Sequence, residues 1–88
     1  MTLYKIDYSR AAAKELEKLS NAVYEPIRKK IEALVSNPKP HGCKKLKGVE
    51  GLYRIRVGDY RVIYEIRSGQ LVILVVRVAH RKDAYWDT

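Results

Sequence analysis

Two alternating segments separated by a two-residue loop constrain the fold of this 88-residue chain more than any other feature. The segments are 53–57 and 60–66, and the loop between them is Gly58-Asp59. A two-residue loop that contains glycine is typical of a β-hairpin, because its backbone twist matches that of the flanking strands. The loop length fixes the register and predicts that Arg56 lies directly opposite Arg61.

The two faces of this predicted hairpin differ in chemistry, because side chains alternate along a strand. One face is apolar and aromatic and carries Tyr53, Ile55, Val57, Tyr60, Val62 and Tyr64. The other face carries Arg54, Arg56 and Arg61. Directly opposed like charges destabilise a strand pair, which indicates an anion site. The alternative is a solvated face on which long arginine side chains splay apart and salt screens their repulsion.

The remaining segments predict an α+β fold in a single domain that covers residues 1–88. Segment 3–8 alternates and predicts a strand, whereas 11–19 and 21–35 have the apolar spacing of two helices. Segment 71–78 is apolar and rich in β-branched residues except for Arg77, and it predicts a strand in the interior of a sheet. The order β-α-α-β-β-β predicts a helical hairpin packed on one face of a mostly antiparallel four-stranded sheet.

The end of the chain is expected to lie beside the arginine face. With a tight turn at Ser68-Gly69, Arg61 lies opposite Val76 on the last strand. The chain continues only a few residues past that strand. Five side chains are therefore expected around one concavity: Arg54, Arg56, Arg61, Arg81 and Tyr85.

The charge balance indicates a polyanionic partner. Lys and Arg number 18 against 10 Asp and Glu, which gives a formal net charge of +8. Such a charge attracts nucleic acid or an acidic protein. The basic residues do not form one amphipathic helix and the longest apolar run is too short to span a bilayer, so no membrane partner is expected. A single cysteine and the absence of a signal-peptide core predict a cytoplasmic protein.

Metal and cofactor sites are not supported by the sequence. The two histidines, His41 and His80, are far apart and give no zinc-type spacing with Cys43, which is interpreted as a small filler. No glycine-rich phosphate loop is present. Histidine is a residue type suited to proton transfer near neutral pH, which makes His80 a candidate, although a histidine just past a strand is commonly a surface or turn residue.

Three segments carry a family resemblance: Lys-Leu-Lys-Gly at 45–48, the hairpin at 52–64, and Val-Ala-His-Arg-Lys-Asp-Ala-Tyr at 78–85. Together they resemble the RelE/ParE superfamily of bacterial toxins from type II toxin–antitoxin pairs, and the likeness spans essentially the whole chain. The ending, His-Arg followed four residues later by Tyr, is similar to the RelE branch, which cleaves mRNA in the ribosomal A site. The ParE branch, which inhibits DNA gyrase, generally lacks that ending.

The resemblance implies a ribosome-dependent endoribonuclease, an mRNA interferase that inhibits translation without a cofactor. The implied reaction is attack of a ribose 2′-OH on the adjacent phosphate, which gives a 2′,3′-cyclic phosphate and a 5′-OH. Arg61 and Arg81 match the phosphate-contacting arginines of the family, and Tyr85 matches its C-terminal tyrosine. An alternative is a ParE-like gyrase inhibitor without nuclease activity. A third hypothesis, motivated by charge alone, is a nonenzymatic RNA-binding module.

The proton acceptor is the open part of this catalytic interpretation. Arg54 and Arg56 stand where several relatives carry lysines, one of which is proposed as the general base. Arginine is effectively always protonated and is therefore a poor base. Arg54, Arg56 and Arg61 are assigned to phosphate binding and transition-state stabilisation, and Arg81 to stabilising or protonating the leaving oxygen. Tyr85, His80 or groups of the RNA remain as candidate bases.

Two partners follow from the resemblance. The first is the ribosome, through rRNA and the A-site mRNA, with Lys44, Lys45 and Lys47 as candidates for contacts to the RNA backbone. The second is a cognate RelB-like antitoxin, encoded nearby and acidic in the segment that binds the toxin. It would neutralise the basic surface and add a helix or strand to it.

Overall fold

A computed structural model describes residues 3–48 and 50–83 of the chain. In chain order the elements are β1 (Lys5–Tyr8), α1 (Arg10–Glu17), α2 (Asn21–Ala33), β2 (Lys44–Lys45), β3 (Leu52–Val57), β4 (Tyr60–Arg67), β5 (Val72–His80) and a 3-10 helix (Arg81–Asp83). The strands form one sheet in the order β1-β5-β4-β3-β2, with β1 parallel to β5 and the other pairs antiparallel. The predicted α+β class and the interior position of the last strand are confirmed.

The predicted strand count of four is wrong, because the described residues form five strands. The additional strand is β2, in which Lys44 pairs with Arg54 and Lys45 with Tyr53. The Leu46 N–H also donates to the Leu52 carbonyl over 2.9 Å. Two residues are too few to show alternation in the sequence, and this strand exists because the edge of β3 offers it hydrogen bonds.

The hairpin of β3 and β4 has the predicted register. Val57 pairs with Tyr60, and Arg56 pairs with Arg61. Gly58 has φ +60° at the first position of the loop, where a type II′ turn requires a positive φ that glycine adopts without strain. The central prediction from the sequence is therefore confirmed.

The predicted register between β4 and β5 is wrong. Arg67 pairs with Val72, so the loop has four residues, 68–71, in place of the two expected at Ser68-Gly69. Leu71 closes this loop with φ +56°, an uncommon conformation for a residue with a side chain. The loop is longer because the amides of residues 70 and 71 hydrogen-bond back to the carbonyls of residues 67 and 68 and so cannot join the ladder.

A β-bulge adds a second shift to the same strand pair. Tyr64 pairs with Val75 whereas its neighbour Ile63 pairs with Arg77, so Val76 is the extra residue. As a result Arg61 lies opposite Ala79 and not opposite Val76 as predicted. A bulge of one residue exchanges the faces of every later side chain on its strand.

The hydrophobic core lies between the helices and one face of the sheet. It contains Ala12, Ile27, Ile31, Leu34, Ile55, Val62, Tyr64, Ile73, Val75 and Val78. Tyr64 is fully buried, and its hydroxyl donates to the Pro38 carbonyl over 2.7 Å. Burial raises the pKa of this phenol. Tyr64 thereby attaches the loop after α2 to the centre of the sheet.

β1 pairs with β5 from Val72 to Val75 and ends there. Helix α1 packs against β5 and contacts its later residues. The Ser9 hydroxyl donates to the Val76 carbonyl over 2.7 Å. The Glu15 carboxylate accepts from the Val78 N–H and from the Arg77 guanidinium, each over 2.7 Å. The side chains of Ser9 and Glu15 therefore satisfy backbone groups at the bulge and close to it.

Replacing Glu15 by alanine is expected to lower the free energy of unfolding by about 1–3 kcal/mol, because the Val78 N–H then lacks its acceptor. Glu15→Gln keeps an acceptor oxygen and is expected to lose less. Glu17→Ala removes an exposed carboxylate from the same helix and serves as the control. Urea unfolding of the three variants measures the effect, and equal losses in Glu15→Ala and Glu17→Ala would contradict this role of Glu15.

Candidate functional site

Strand pairing brings the predicted arginines together in two rows across the sheet. In one row Lys44 lies beside Arg54, followed by Ile63, and in the other Arg56 lies beside Arg61, followed by Ala79. Paired residues project to the same face of a sheet. This face lies opposite the helices, and we call the set Lys44, Arg54, Arg56 and Arg61 the cationic face.

The cationic face has an apolar floor. Ile63 is 2% exposed and Ala79 is 6% exposed, although neither lies on the side that the helices cover. Arg54 and Arg61 are half-buried, and the Nε atom of Arg61 is itself buried, whereas Arg56 is exposed. A cation beside an apolar floor attracts an anion more strongly than a fully hydrated cation does, because the local dielectric constant is lower.

Arg81 is held at the end of this face by the turn of the central hairpin. Its backbone N–H donates to the Asp59 carbonyl over 2.7 Å, and its Nε lies 3.8 Å from Asp59 Oδ1. Both side chains are more than half exposed, so the ion pair is weak and the backbone hydrogen bond provides the positioning. Asp59 was not among the site residues predicted from the sequence, because its place beside Arg81 follows only from the observed β4–β5 register.

His80 does not lie on the cationic face. It pairs with Tyr60, and the two rings meet edge to face with centroids 5.3 Å apart. This is the face that the helices cover. The Nδ1 of His80 also accepts a hydrogen bond from the Lys82 N–H over 3.2 Å. Tyr85, the other predicted proton acceptor, lies outside the described residues.

The three lysines predicted to contact RNA are all exposed but do not share one face. Lys44 projects to the cationic face because it pairs with Arg54, whereas Lys45 pairs with Tyr53 and projects to the other side. Lys47 follows in the turn after β2. Lys45 and Lys47 line a cavity of about 440 Å³ together with Glu50.

The described residues form no group of three or more side chains suited to hold a metal ion. Cys43 is half-buried and packs against the hydrophobic core. Within the same residues, no helix combines the length and the apolar character needed to cross a bilayer.

Residues 6–85 match the family model described as the ParE toxin of the type II toxin–antitoxin system, parDE. The chain therefore belongs to the RelE/ParE superfamily of type II toxins, as the resemblance of its motifs implied. Within this class it is a toxin of the RelE kind, as its individual relatives indicate.

A protein of Escherichia coli named as a putative RelE-like toxin is 33% identical over an alignment of 86 residues, and the match covers 93% of this chain and 90% of the relative. The mRNA interferase toxin RelE of Escherichia coli K12 is 30% identical, and the match covers 90% of this chain and 84% of that protein. A chain of the archaeal RelE–RelB complex from Pyrococcus horikoshii OT3 has a TM-score of 0.80 at 31% identity, with 94% of this chain and 100% of that chain covered.

Replacing Arg56 by glutamine is expected to raise the free energy of unfolding by a few tenths to about 1 kcal/mol at low salt, because it removes one of two directly opposed cations. The gain is expected to shrink near 1 M salt, where the Debye length falls to about 3 Å. Urea unfolding at low and high salt measures it.

Lys5→Gln is the matched control for Arg56→Gln. Lys5 is an exposed strand cation whose cross-strand partner is the apolar Val72, so this variant loses one charge without relieving a directly opposed pair. A salt-dependent gain of the same size in both variants would show that net charge, and not the opposition of Arg56 and Arg61, causes the effect.

Proposed function

We propose that this chain is a ribosome-dependent endoribonuclease that cleaves mRNA in the ribosomal A site and so inhibits translation in the cytoplasm. One observation carries the proposal: Arg54, Arg56 and Arg61 share one sheet face, and Arg81 is hydrogen-bonded at the end of that face. The relative named mRNA interferase toxin RelE supports the same activity.

The proposed reaction needs three kinds of help. A ribose 2′ oxygen attacks the adjacent phosphorus, the bond from phosphorus to the 5′ oxygen breaks, and a 2′,3′-cyclic phosphate and a 5′-OH result. Negative charge grows on the nonbridging oxygens, the 2′ proton must pass to an acceptor, and the departing 5′ oxygen must be stabilised while it takes up a proton to become the 5′-OH. A fixed group of cations supplies the first and the third of these needs.

In this mechanism Arg61 and Arg56 bind the nonbridging oxygens of the scissile phosphate. The half-buried position of Arg61 suits transition-state stabilisation, because its charge is less screened by water than that of an exposed arginine. Arg54 extends the same cationic face along β3. Arg81 stabilises the leaving 5′ oxygen from the end of β5.

The proton acceptor is proposed to be Tyr85 or a group of the RNA. Arg56 and Arg61, which lie opposite each other in the hairpin, cannot accept the 2′ proton, because a guanidinium keeps its own proton near neutral pH. His80 is a less suitable base than the sequence indicated, since its ring packs against Tyr60 on the other face of the sheet. If a group of the rRNA accepts the 2′ proton, cleavage requires the ribosome, because the ribosome supplies that group.

Two partners complete the proposal. The exposed Lys44, Lys45 and Lys47 contact the rRNA backbone, which makes ribosome binding sensitive to salt. A RelB-like antitoxin with an acidic toxin-binding segment neutralises the basic surface. The intact Escherichia coli RelBE toxin–antitoxin complex, one chain of which has a TM-score of 0.79 with this chain, supports that partnership.

Purified ribosomes carrying a defined mRNA test the activity directly. The wild-type chain is expected to cut within the A-site codon. The double variant Arg61→Ala, Arg81→Ala is expected to cut at least about 10²-fold more slowly, the loss typical of removing a transition-state hydrogen-bond donor. Primer extension on the recovered mRNA measures the rate.

The double variant Arg10→Ala, Arg28→Ala is the control, because it removes two guanidinium groups from the helices and leaves the sheet unchanged. It is expected to retain near wild-type cleavage. Undiminished cleavage by the Arg61, Arg81 variant would exclude the proposed site.

The second candidate function is inhibition of DNA gyrase without cleavage of RNA, and the description of the matching family model as ParE toxin favours it. It predicts loss of supercoiling by purified gyrase and intact mRNA on treated ribosomes. Cleavage in the A site together with unimpaired supercoiling excludes this alternative.

A further inference from the structure

A cleft of about 240 Å³ lies beside the cationic face and was not part of the candidate site described above. Three basic residues from three different elements line it: Lys30 of α2, His41 of the loop after α2, and Arg56 of β3. Ala33, Pro40 and Ile55 supply apolar walls. The described residues that line this cleft include no carboxylate.

The cleft exists because β2 is short. β2 pairs with Tyr53 and Arg54 only, so the following residues of β3 have no described strand partner on that side. Ile55 and Arg56 border the opening that results. The last turn of α2 and the loop after it form the opposite wall.

The loop that carries His41 is held in place from both sides. The Cys43 N–H donates to the Pro40 carbonyl over 3.0 Å, and Gly42 has φ +90°, which together define a type II turn with His41 at its second position. Just before this turn, the buried Tyr64 hydroxyl donates to Pro38 over 2.7 Å. Binding a ligand in the cleft therefore requires little ordering of this loop.

A purely structural role accounts for only part of this arrangement. Lys30 lies in the last turn of α2, where a cation complements the helix dipole. That effect gives no reason for His41 and Arg56 to line the same cleft. The nearby Glu32 does not compensate them, because it accepts from Arg28 over 2.7 Å on the exposed side of the helix.

We propose that this cleft binds a backbone phosphate of the RNA next to the phosphate that is cleaved. Arg56 connects the two sites, because it borders the cleft and pairs directly with Arg61 on the cationic face. Lys30 and His41 hold the neighbouring phosphate, and Ile55 and Pro40 contact its sugar. The inference rests on the proposed function and adds a second RNA subsite to it.

The test uses the full chain and a fluorescent hexanucleotide with 2′-O-methyl groups, which cannot be cleaved because the nucleophilic hydroxyl is blocked. Fluorescence anisotropy is expected to give a Kd that is about threefold to tenfold weaker for Lys30→Ala and for His41→Gln, the size expected for the net loss of one typical hydrogen bond. Lys30→Arg keeps the cation and is expected to restore the wild-type Kd. A thermal unfolding scan verifies that each variant is folded.

Lys29→Ala is the matched control, since it removes the same charge from the adjacent position of α2 and Lys29 does not line the cleft. An equal loss of affinity in Lys29→Ala and Lys30→Ala would overturn the proposal, because only the overall charge would then matter. A hexaglutamate peptide probes the alternative of an acidic protein. The proposal fails if Lys30→Ala and His41→Gln weaken binding of the peptide and leave binding of the oligonucleotide unchanged.

The binding measurement contains no ribosomes, so its result is independent of the proposed activity. If the chain cleaves A-site mRNA but its affinity for the oligonucleotide is insensitive to Lys30 and His41, the subsite alone is excluded. If no cleavage occurs and the affinity still depends on these two residues, the RNA subsite stands and the proposed endoribonuclease activity fails.

Discussion

The opposition of Arg56 and Arg61 is the constraint around which the rest of the structure is arranged. A two-residue turn with Gly58 at its first position fixes this register. The same register directs Ile55, Val62 and Tyr64 into the core, where full burial of one such side chain contributes about 1.5–3 kcal/mol. Repulsion between two screened cations costs about 1 kcal/mol or less. The core therefore holds the two arginines together against their repulsion, and an anion removes that cost.

The bulge at Val76 determines which C-terminal residues reach the cationic face. Without the extra residue, a continuous ladder from Tyr64–Val75 would set Val78 opposite Arg61 and turn His80 toward the arginines. With it, Ala79 lies opposite Arg61, His80 packs on Tyr60, and Arg81 meets the hairpin turn at Asp59. Because Ser9 and Glu15 of the α1 region hydrogen-bond to residues next to the bulge, helix α1 influences the site from the opposite face of the sheet.

The sequence was sufficient to predict features that depend on local geometry. The register of the central hairpin follows from the length of one loop, and the shared face of Arg54, Arg56 and Arg61 follows from alternation along two strands. Features that depend on tertiary contacts were not predictable in this way. The four-residue loop requires Leu71 in a left-handed conformation, the strand β2 depends on the edge of β3, and the bulge coincides with contacts from α1. Asp59 and the cleft at His41 were missed for the same reason.

The proposed target of the cationic face is mRNA that is being translated. Mapping the 5′ ends of mRNA across a transcriptome after brief induction of the chain tests this target. New 5′ ends are expected to repeat with the three-nucleotide period of the reading frame and to be absent from untranslated regions. New ends without that period, or intact mRNA in cells that stop growing, would contradict it.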